Sequence, residues 1–359
     1  MSESVSSIRV ELGERSYSVR VGRGVREELP RAVDALGEGD VLLVHDGPER
    51  PWAKEAIEAL RARGRRVVEC VLPPGEEHKD IRTVEMIWDA ALRGEIDRRG
   101  IVIGIGGGVV GDMTAFAAST LLRGVKLGQL PTTLLSMVDS SVGGKTGVNR
   151  PEGKNLVGTF YQPSFVLCDV ETLSTLPRGE RIAGLAEVVK SAWIDSEESV
   201  AMLEREAEAL REGDADATIR AIEMSVRLKA RIVSEDEHES GQRMLLNFGH
   251  TVGHAIEAAL EYRGIRHGEG VALGMIAALR LSASLGGGRS EEEARLVALL
   301  SALGLPVNLD DYLNEKVSAH LVSDKKRRGS AIRFILPGPP GALEIRSIGV
   351  EAIRDALFR

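Results

Sequence analysis

Ile101-Val-Ile-Gly104-Ile-Gly106-Gly107-Gly108-Val-Val-Gly111-Asp112 decides the fold class: a β-branched run breaks into glycines and leads toward a helix expected to begin near Met113. A strand followed at once by a glycine turn and a helix brings backbone N–H groups and a helix N-terminus to one point, which suits a pyrophosphate. Taken alone, the GxGxxG spacing at Gly106, Gly108 and Gly111 is weak, because such turns also serve packing. An ordinary dinucleotide fold carries an acidic residue about twenty positions on for the ribose, yet Met113 to Val138 contains none. Asp46, just past the strand Val41–Val44, is the candidate instead, since the carboxyl ends of strands face the ligand crevice in open α/β sheets.

Working outward, short runs at Val41–Val44, Val67–Val71, Ile101–Ile105 and Phe165–Cys168 alternate with helical stretches such as Trp52–Arg63 and Thr83–Arg93. That alternation predicts a mainly parallel sheet with crossover helices. Ile8–Leu12 and Tyr17–Val21, joined through Gly13-Glu14-Arg15, read as an antiparallel hairpin. After Pro177 strand signals nearly vanish and periodic helices take over, as in Ile182–Ile194 with Leu185, Val188, Val189 and Ala192 on one face. The expectation is an α/β domain over 1–178, a Rossmann-like variant, and an all-α domain over 179–359. Gly286–Gly288 reads as a loop between helices, and Pro337-Gly-Pro-Pro-Gly341 as a turn before a last short helix.

Composition agrees. At 359 residues with 43% apolar content the chain exceeds one ordinary core. A net charge of -8 gives no general attraction to nucleic acid or anionic membrane, so an anionic ligand must be held by a local basic cluster. Two cysteines, Cys70 and Cys168, without a CxxC, support neither a disulfide framework nor a thiolate metal site, which fits a reducing cytoplasm. The start Met-Ser-Glu-Ser-Val-Ser-Ser has no basic and apolar leader pattern, and the longest apolar stretch, around Val271 to Leu279, is too short for a bilayer.

The chemistry concentrates in Arg243-Met-Leu-Leu-Asn247-Phe-Gly-His250-Thr-Val-Gly-His254 and His267-Gly-Glu269, which hold three of the seven histidines. Imidazoles one helical turn apart suit a divalent metal and a proton-transfer step. By spacing alone His250 and His254 are either a surface pair or co-ligands on one helix face. Pro131-Thr132-Thr133, Asp139-Ser-Ser-Val-Gly-Gly-Lys145 and Gly153-Lys154-Asn155 place hydroxyls, a carboxylate and two lysines on glycine-dense loops suited to anions. Glu187 and Lys190, three apart and opposite the apolar stripe, read as an exposed ion pair worth little.

Together these residues resemble the 3-dehydroquinate synthase family. The signatures are Leu72-Pro-Pro-Gly75-Glu76-Glu-His-Lys79, Gly106-Gly-Gly-Val-Val-Gly-Asp112, Arg123-Gly, Pro131-Thr-Thr-Leu-Leu, Val138-Asp-Ser-Ser-Val-Gly-Gly-Lys-Thr-Gly-Val-Asn149, Gly153-Lys-Asn155, Ala186-Glu-Val-Val-Lys190, Asn247-Phe-Gly-His-Thr-Val-Gly-His-Ala-Ile-Glu257, His267-Gly-Glu269 and Asp324-Lys-Lys326. The resemblance implies an NAD-binding α/β domain, a helical domain, an active site in the cleft between them, and a homodimer. It implies zinc or cobalt on Glu187, His250 and His267, replacing the His250–His254 pairing. His254 then matches a residue that binds the substrate phosphate and moves protons. Lys145, Asn155, Asn247, Lys325 and Arg123 match the phosphate group, with Arg123 reaching the neighbouring subunit's site. Lys229 and Arg243 match the pair on the substrate carboxylate, and Asp139 and Lys190 lie near the ring hydroxyls. Asp46, Gly75, Glu76, Lys79, Gly107, Gly108, Val109, Asp112, Thr132, Thr133, Lys145, Lys154, Thr172 and Thr175 line the NAD site.

The chemistry so implied converts 3-deoxy-D-arabino-heptulosonate 7-phosphate to 3-dehydroquinate and phosphate, by transient oxidation with NAD, phosphate elimination, reduction, ring opening and aldol closure. Alternatives are another NAD- and metal-dependent sugar phosphate cyclase, a metal-dependent polyol dehydrogenase, and a non-catalytic nucleotide-binding module. Lys229 and Arg243 weigh against the first, the many phosphate-binding groups against the second, and the full set of metal and basic positions against the third.

Overall fold

The chain divides by its internal contacts into Met1–Leu176 with Lys229–Ser234, and Pro177–Leu228 with Glu235–Arg359. The structure, a computed structural model, describes residues 5–47, 51–286, 290–328 and 331–358, the side chains of 322–328 aside. Gly287, Gly288 and the side chain of Lys325, which the sequence reading included, lie outside the described residues.

In the first unit the strands are β1 (Ser6–Val10), β2 (Tyr17–Gly22), β3 (Val41–Asp46), β4 (Val67–Leu72), β5 (Ile101–Gly106), β6 (Lys126–Pro131), β7 (Val148–Arg150), β8 (Gly153–Val157) and β9 (Phe165–Asp169). Its helices are α1 (Leu29–Leu36), α2 (Pro51–Ala62), α3 (Ile81–Arg93) and α4 (Gly108–Thr120). Seven strands form one sheet in the order β1-β2-β9-β6-β5-β3-β4. The first pair is the expected antiparallel hairpin and every later pairing is parallel. Parallel strands covered on both faces need apolar residues at every position, and β5 is buried along its whole length. Ile101, Ile103 and Ile105 pack with Leu43 and Leu60 on one face. Val102 packs with Leu42, Val84 and Phe116 on the other.

Two details depart from the periodicity. β6, Lys-Leu-Gly-Gln-Leu-Pro, has no β-branched residue; it is a strand because β5 and β9 offer it a ladder on each side. α4 starts at Gly108, five residues before Met113, so the glycine turn is itself the first helical turn. Glycine's low propensity hid this.

The second unit contains α5 (Arg178–Asp195), α6 (Glu197–Glu212), most of α7 (Ala215–Glu235), α8 (His250–Ala259), α9 (His267–Ser284), α10 (Ser290–Ala302), α11 (Glu315–Arg328) and α12 (Val350–Leu357). To the expected helices it adds the hairpin β10 (Ala331–Pro337) and β11 (Leu343–Gly349), paired across the proline-rich turn. The alternation Ile332-Arg-Phe334-Ile carried that signal. α9 runs against backbone rather than side chains. A Cβ at Gly274 would stand 1.8 Å from the Gly249 carbonyl oxygen, and one at Gly268 would stand 1.8 Å from that of Ala183.

In an open helix Gly→Ala gains up to ~1 kcal/mol. At Gly274 the added methyl meets backbone that cannot swing aside, so Gly274→Ala should instead lose about 1–3 kcal/mol or more. Thermal unfolding measures this, and a midpoint equal to or above wild type would remove the close approach as a constraint.

Candidate active site

The strand order explains the missing ribose acid. From β3 the chain steps outward to β4 and returns past β3 to β5, so the order reverses between β3 and β5, where open α/β sheets hold ligands beyond the strand ends. Asp46 ends β3, and Gly106 ends β5 ahead of α4. A carboxylate at this switch point thus precedes the glycine turn in sequence.

The turn leaves room for no side chain of its own. A Cβ at Gly106 would lie 2.7 Å from Val110, one at Gly107 3.1 Å from Thr133 Cγ2, and one at Gly108 3.0 Å from Ser140 Oγ. Val109 lies in that first turn, whose backbone amides, without partners in the helix, suit an anion. Thr132 donates its backbone N–H to the Gly106 carbonyl at 2.9 Å. The Thr133 hydroxyl accepts the Ser136 amide at 3.1 Å. At the end of β9, Thr172 Oγ1 donates to the Asp169 carbonyl at 2.7 Å, and Thr175 Oγ1 accepts from Trp52 Nε1 at 3.3 Å. These residues fit a dinucleotide.

A second group in the same unit centres on Lys79, which is 5% exposed. Its Nζ donates to Asp112 Oδ2 and to Asn155 Oδ1, both at 2.6 Å. Gly75, at φ +112°, opens the turn before it, and Glu76 accepts from Asn149 Nδ2 at 2.8 Å with Lys154 Nζ at 3.8 Å. Asn149 was quoted for the resemblance without a role. It also donates its backbone N–H to the Lys79 carbonyl at 2.7 Å and accepts that of Asn155 at 3.0 Å. Asn155 is thereby held at φ +54°. Burial raises the Asp112 carboxyl above its usual range, against the lowering by the Lys79 charge.

Lys229, grouped with this unit, donates to both Oδ1 and the carbonyl of Asp139 at 2.6 Å. Lys145 is exposed on the loop leading to β7. Arg123 is exposed too, at φ +69° after Leu122 at φ +50°, and among the described residues no hydrogen bond or ion pair holds its side chain.

In the second unit, Glu187 and Lys190 correct the expectation of an exposed pair. They are 0% and 2% exposed and contact each other as an ion pair, because α5 is buried continuously from Ala183 to Ile194. Glu187 Oε1 stands 3.4 Å from His250 Nε2 and 3.6 Å from His267 Nε2. His250 opens α8 and its Nδ1 lies 3.2 Å from the Phe248 carbonyl. His267 opens α9 and its Nδ1 lies 2.8 Å from Glu257 Oε1. Each imidazole thus turns Nε2 toward Glu187, an arrangement that fits a divalent cation.

His254 also stands close, with ligand atoms of the three histidines within 4.8 Å of one another. It is exposed, whereas Glu187 is buried, with Lys190 on one carboxylate oxygen and the two Nε2 atoms facing the other. Glu187 thus fits a third ligand position beside His250 and His267, with the exposed His254 next to the group. Burial lowers His250 to about 3. Burial works the same way on His267, but the Glu187 and Glu257 carboxylates outweigh it and raise that imidazole to about 10. Glu269 Oε2 accepts the Arg266 amide at 2.8 Å, so this glutamate caps α9.

Arg243 is 1% exposed in the turn Gln242–Asn247. The Asp236 carboxylate shapes that turn, accepting the amides of Ser240 at 2.9 Å, Gly241 at 2.7 Å and Arg243 at 3.0 Å. Burial alone would raise Asp236, but these amides hold it down at about 2. Arg243 Nη1 donates to the Glu237 carbonyl, and Asn247 Nδ2 to Glu239 Oε1 at 2.7 Å. Asp236 and Glu239 escaped the sequence reading, and Glu257 was quoted for the resemblance without a role. Only Glu257, seven residues after His250, carried a helical-face signal.

Residues 69–183 match the family profile described as 3-dehydroquinate synthase N-terminal, and 184–327 that described as 3-dehydroquinate synthase C-terminal. The 3-dehydroquinate synthase of Citrifermentans bemidjiense is 42% identical over 343 residues, 95% of each chain. A 2-deoxy-scyllo-inosose synthase solved with carbaglucose-6-phosphate, NAD+ and Co2+ is 25% identical, with a TM-score of 0.87 over 98% of this chain and 99% of that one. ValA, a 2-epi-5-epi-valiolone synthase from Streptomyces hygroscopicus subsp. jinggangensis solved with NAD+ and Zn2+, is 29% identical, with a TM-score of 0.86 over 99% of this chain and 98% of that one.

Lys79 compensates a buried carboxylate, and Lys79→Met should lose about 3–5 kcal/mol near neutral pH. Folded Asp112 would then keep its proton to higher pH than unfolded Asp112. The loss relative to wild type should grow as pH climbs from about 4 into the neutral range, above the ordinary carboxylate range, where wild-type Asp112 has ionised and the variant's has not. Urea unfolding at both ends of that range measures it, and a pH-independent difference would mean packing, not charge.

Proposed function

We infer that the chain, which belongs to the 3-dehydroquinate synthase family, converts 3-deoxy-D-arabino-heptulosonate 7-phosphate to 3-dehydroquinate and phosphate in the shikimate pathway to aromatic amino acids. It is a phosphate-eliminating lyase that uses NAD and one divalent metal ion, zinc or cobalt. The observation that carries this reading is the buried Glu187 facing two imidazole Nε2 atoms, in a chain similar to this family along almost its whole length. The inosose and valiolone synthases share the fold at lower identity.

When bound, NAD supplies a hydride acceptor that gives back what it takes, and the metal ion a Lewis acid for the hydroxyl being oxidised. Glu187, His250 and His267 hold the metal. Asp46, Gly75, Glu76, Lys79, Gly107, Gly108, Val109, Asp112, Thr132, Thr133, Lys145, Lys154, Thr172 and Thr175 hold NAD, with the pyrophosphate on the first turn of α4. Arg243 and Lys229 bind the substrate carboxylate, Arg243 through its planar fork. Asp139 and Lys190 orient the ring hydroxyls. Lys145, Asn155, Asn247, Lys325, Arg123 and His254 bind the phosphate, and charge-assisted hydrogen bonds of roughly 1.5–3 kcal/mol each favour its departure. His254, solvent-accessible one turn beyond His250, moves the proton.

The catalytic unit is a homodimer in which Arg123 serves the second copy's phosphate site. Support comes from its exposure on a left-handed turn with no partner for its side chain among the described residues. Among the described residues no helix is long and apolar enough to cross a membrane. A cytoplasmic location is supported by two buried free cysteines, Cys70 and Cys168.

Incubated with the heptulosonate phosphate, the enzyme should release phosphate while NADH absorbance stays flat; stoichiometric NADH would indicate a polyol dehydrogenase instead. Arg243→Ala should lower kcat/KM on the order of a hundredfold or more, with NAD binding unchanged, and Arg243→Lys should recover little. Equal turnover of a carboxylate-free sugar phosphate by wild type would move the assignment to another cyclase. Mixing inactive Arg123→Ala and Lys145→Ala proteins should restore part of the activity, and its absence despite demonstrated subunit exchange would place Arg123 within its own chain's site.

A further inference from the structure

We propose that Glu257 is the positioning residue of the metal set: its carboxylate accepts the Nδ1–H of His267 and so fixes the tautomer and rotation that present Nε2 beside Glu187. The inference rests on the reading that Glu187, His250 and His267 hold a divalent ion.

Glu257 is 2% exposed, and its Oε1 lies 2.8 Å from His267 Nδ1, while His267 Nε2 lies 3.6 Å from Glu187 Oε1. It follows His250 by seven residues on α8, so the two occupy one helix face two turns apart. The packing makes room for it. A Cβ at Gly270 would stand 3.2 Å from both Cγ and Oε1 of Glu257, and one at Gly253 would stand 2.7 Å from the Gly270 carbonyl. A side chain at Gly270 would crowd that carboxylate, and one at Gly253 would meet the backbone of α9.

The two imidazoles are backed unequally. His250 meets a neutral carbonyl, whereas His267 meets a carboxylate. A carboxylate partner makes an imidazole the better donor, and such partners typically change metal affinity by about 10–100-fold. A buried carboxylate is otherwise expensive. With a dication present, Glu257 adds a negative charge beside Glu187, which already partners Lys190.

The test is the dissociation constant for Co2+, measured by competition with a chelating dye on wild type, Glu257→Ala, Glu257→Gln and Glu187→Ala, together with the visible spectrum of bound Co2+. Circular dichroism and NAD binding check folding. Glu257→Ala should bind Co2+ about 10–100-fold more weakly with an altered spectrum. Glu257→Gln, which keeps the acceptor oxygen and loses the charge, should fall between Ala and wild type. If the alanine variant does not fold, the glutamine variant decides: wild-type affinity and spectrum there overturn the proposal. Should Glu187→Ala lose the metal while both Glu257 variants bind as wild type, this inference alone falls. If wild type binds no Co2+, or Glu187→Ala binds it normally, the metal-set reading falls with it.

Discussion

Backbone-to-backbone contact along α9 is the constraint on which the metal group depends. Gly274 rests on the Gly249 carbonyl, one residue before His250, and Gly268 rests on the Ala183 carbonyl, one helical turn before Glu187. No side chain spaces α5, α8 and α9 at these points. The helix ends are therefore locked at a separation that lets a carboxylate and two imidazoles meet. Glycine's usual penalty inside a helix, up to ~1 kcal/mol, is offset by dispersion contacts and by the geometry it permits. The motif His267-Gly-Glu269 condenses this logic: a proposed ligand, a contact point and a cap in three successive positions.

The first unit solves a different problem by topology. Because the strand order turns back between β3 and β5, two loops distant in sequence emerge at adjacent strand ends. Neither Asp46 nor the glycine turn is diagnostic by itself. Their adjacency comes from the parallel pairing Val41↔Ile101 through His45↔Ile105. Around them, Lys79, Asp112, Asn149 and Asn155 form one hydrogen-bonded network, so the residues proposed for the nucleotide and Asn155, proposed for the phosphate, share a scaffold. Burial raises the stakes, since each charged member of such a network needs the others.

Periodicity could carry an element but not its surroundings. α2, α3 and α5 were legible from apolar spacing, and β3, β4, β5 and β9 from β-branched runs. β6 was hidden because its residues have little strand preference and it relies on β5 and β9 for its ladders. α4 was misjudged by five residues because glycine reads as loop when scored alone. Glu187 and Lys190 looked solvated since a helical wheel shows one apolar stripe, whereas α5 is covered on all sides.

The sequence by itself determined the two-part organisation, the α/β and helical textures, the glycine turn and, through its ordered motifs, the family. Those features are local or serial, so residue types and spacing suffice to carry them. Only the tertiary structure shows the buried Glu187 with the Nε2 atoms of His250 and His267 turned toward it. It also decided which carboxylates stand behind the ligands, and that Asp236 shapes the turn holding Arg243. These depend on the distance and rotation between helices far apart in sequence. That distance is set by backbone contacts at glycines, which spacing rules do not encode.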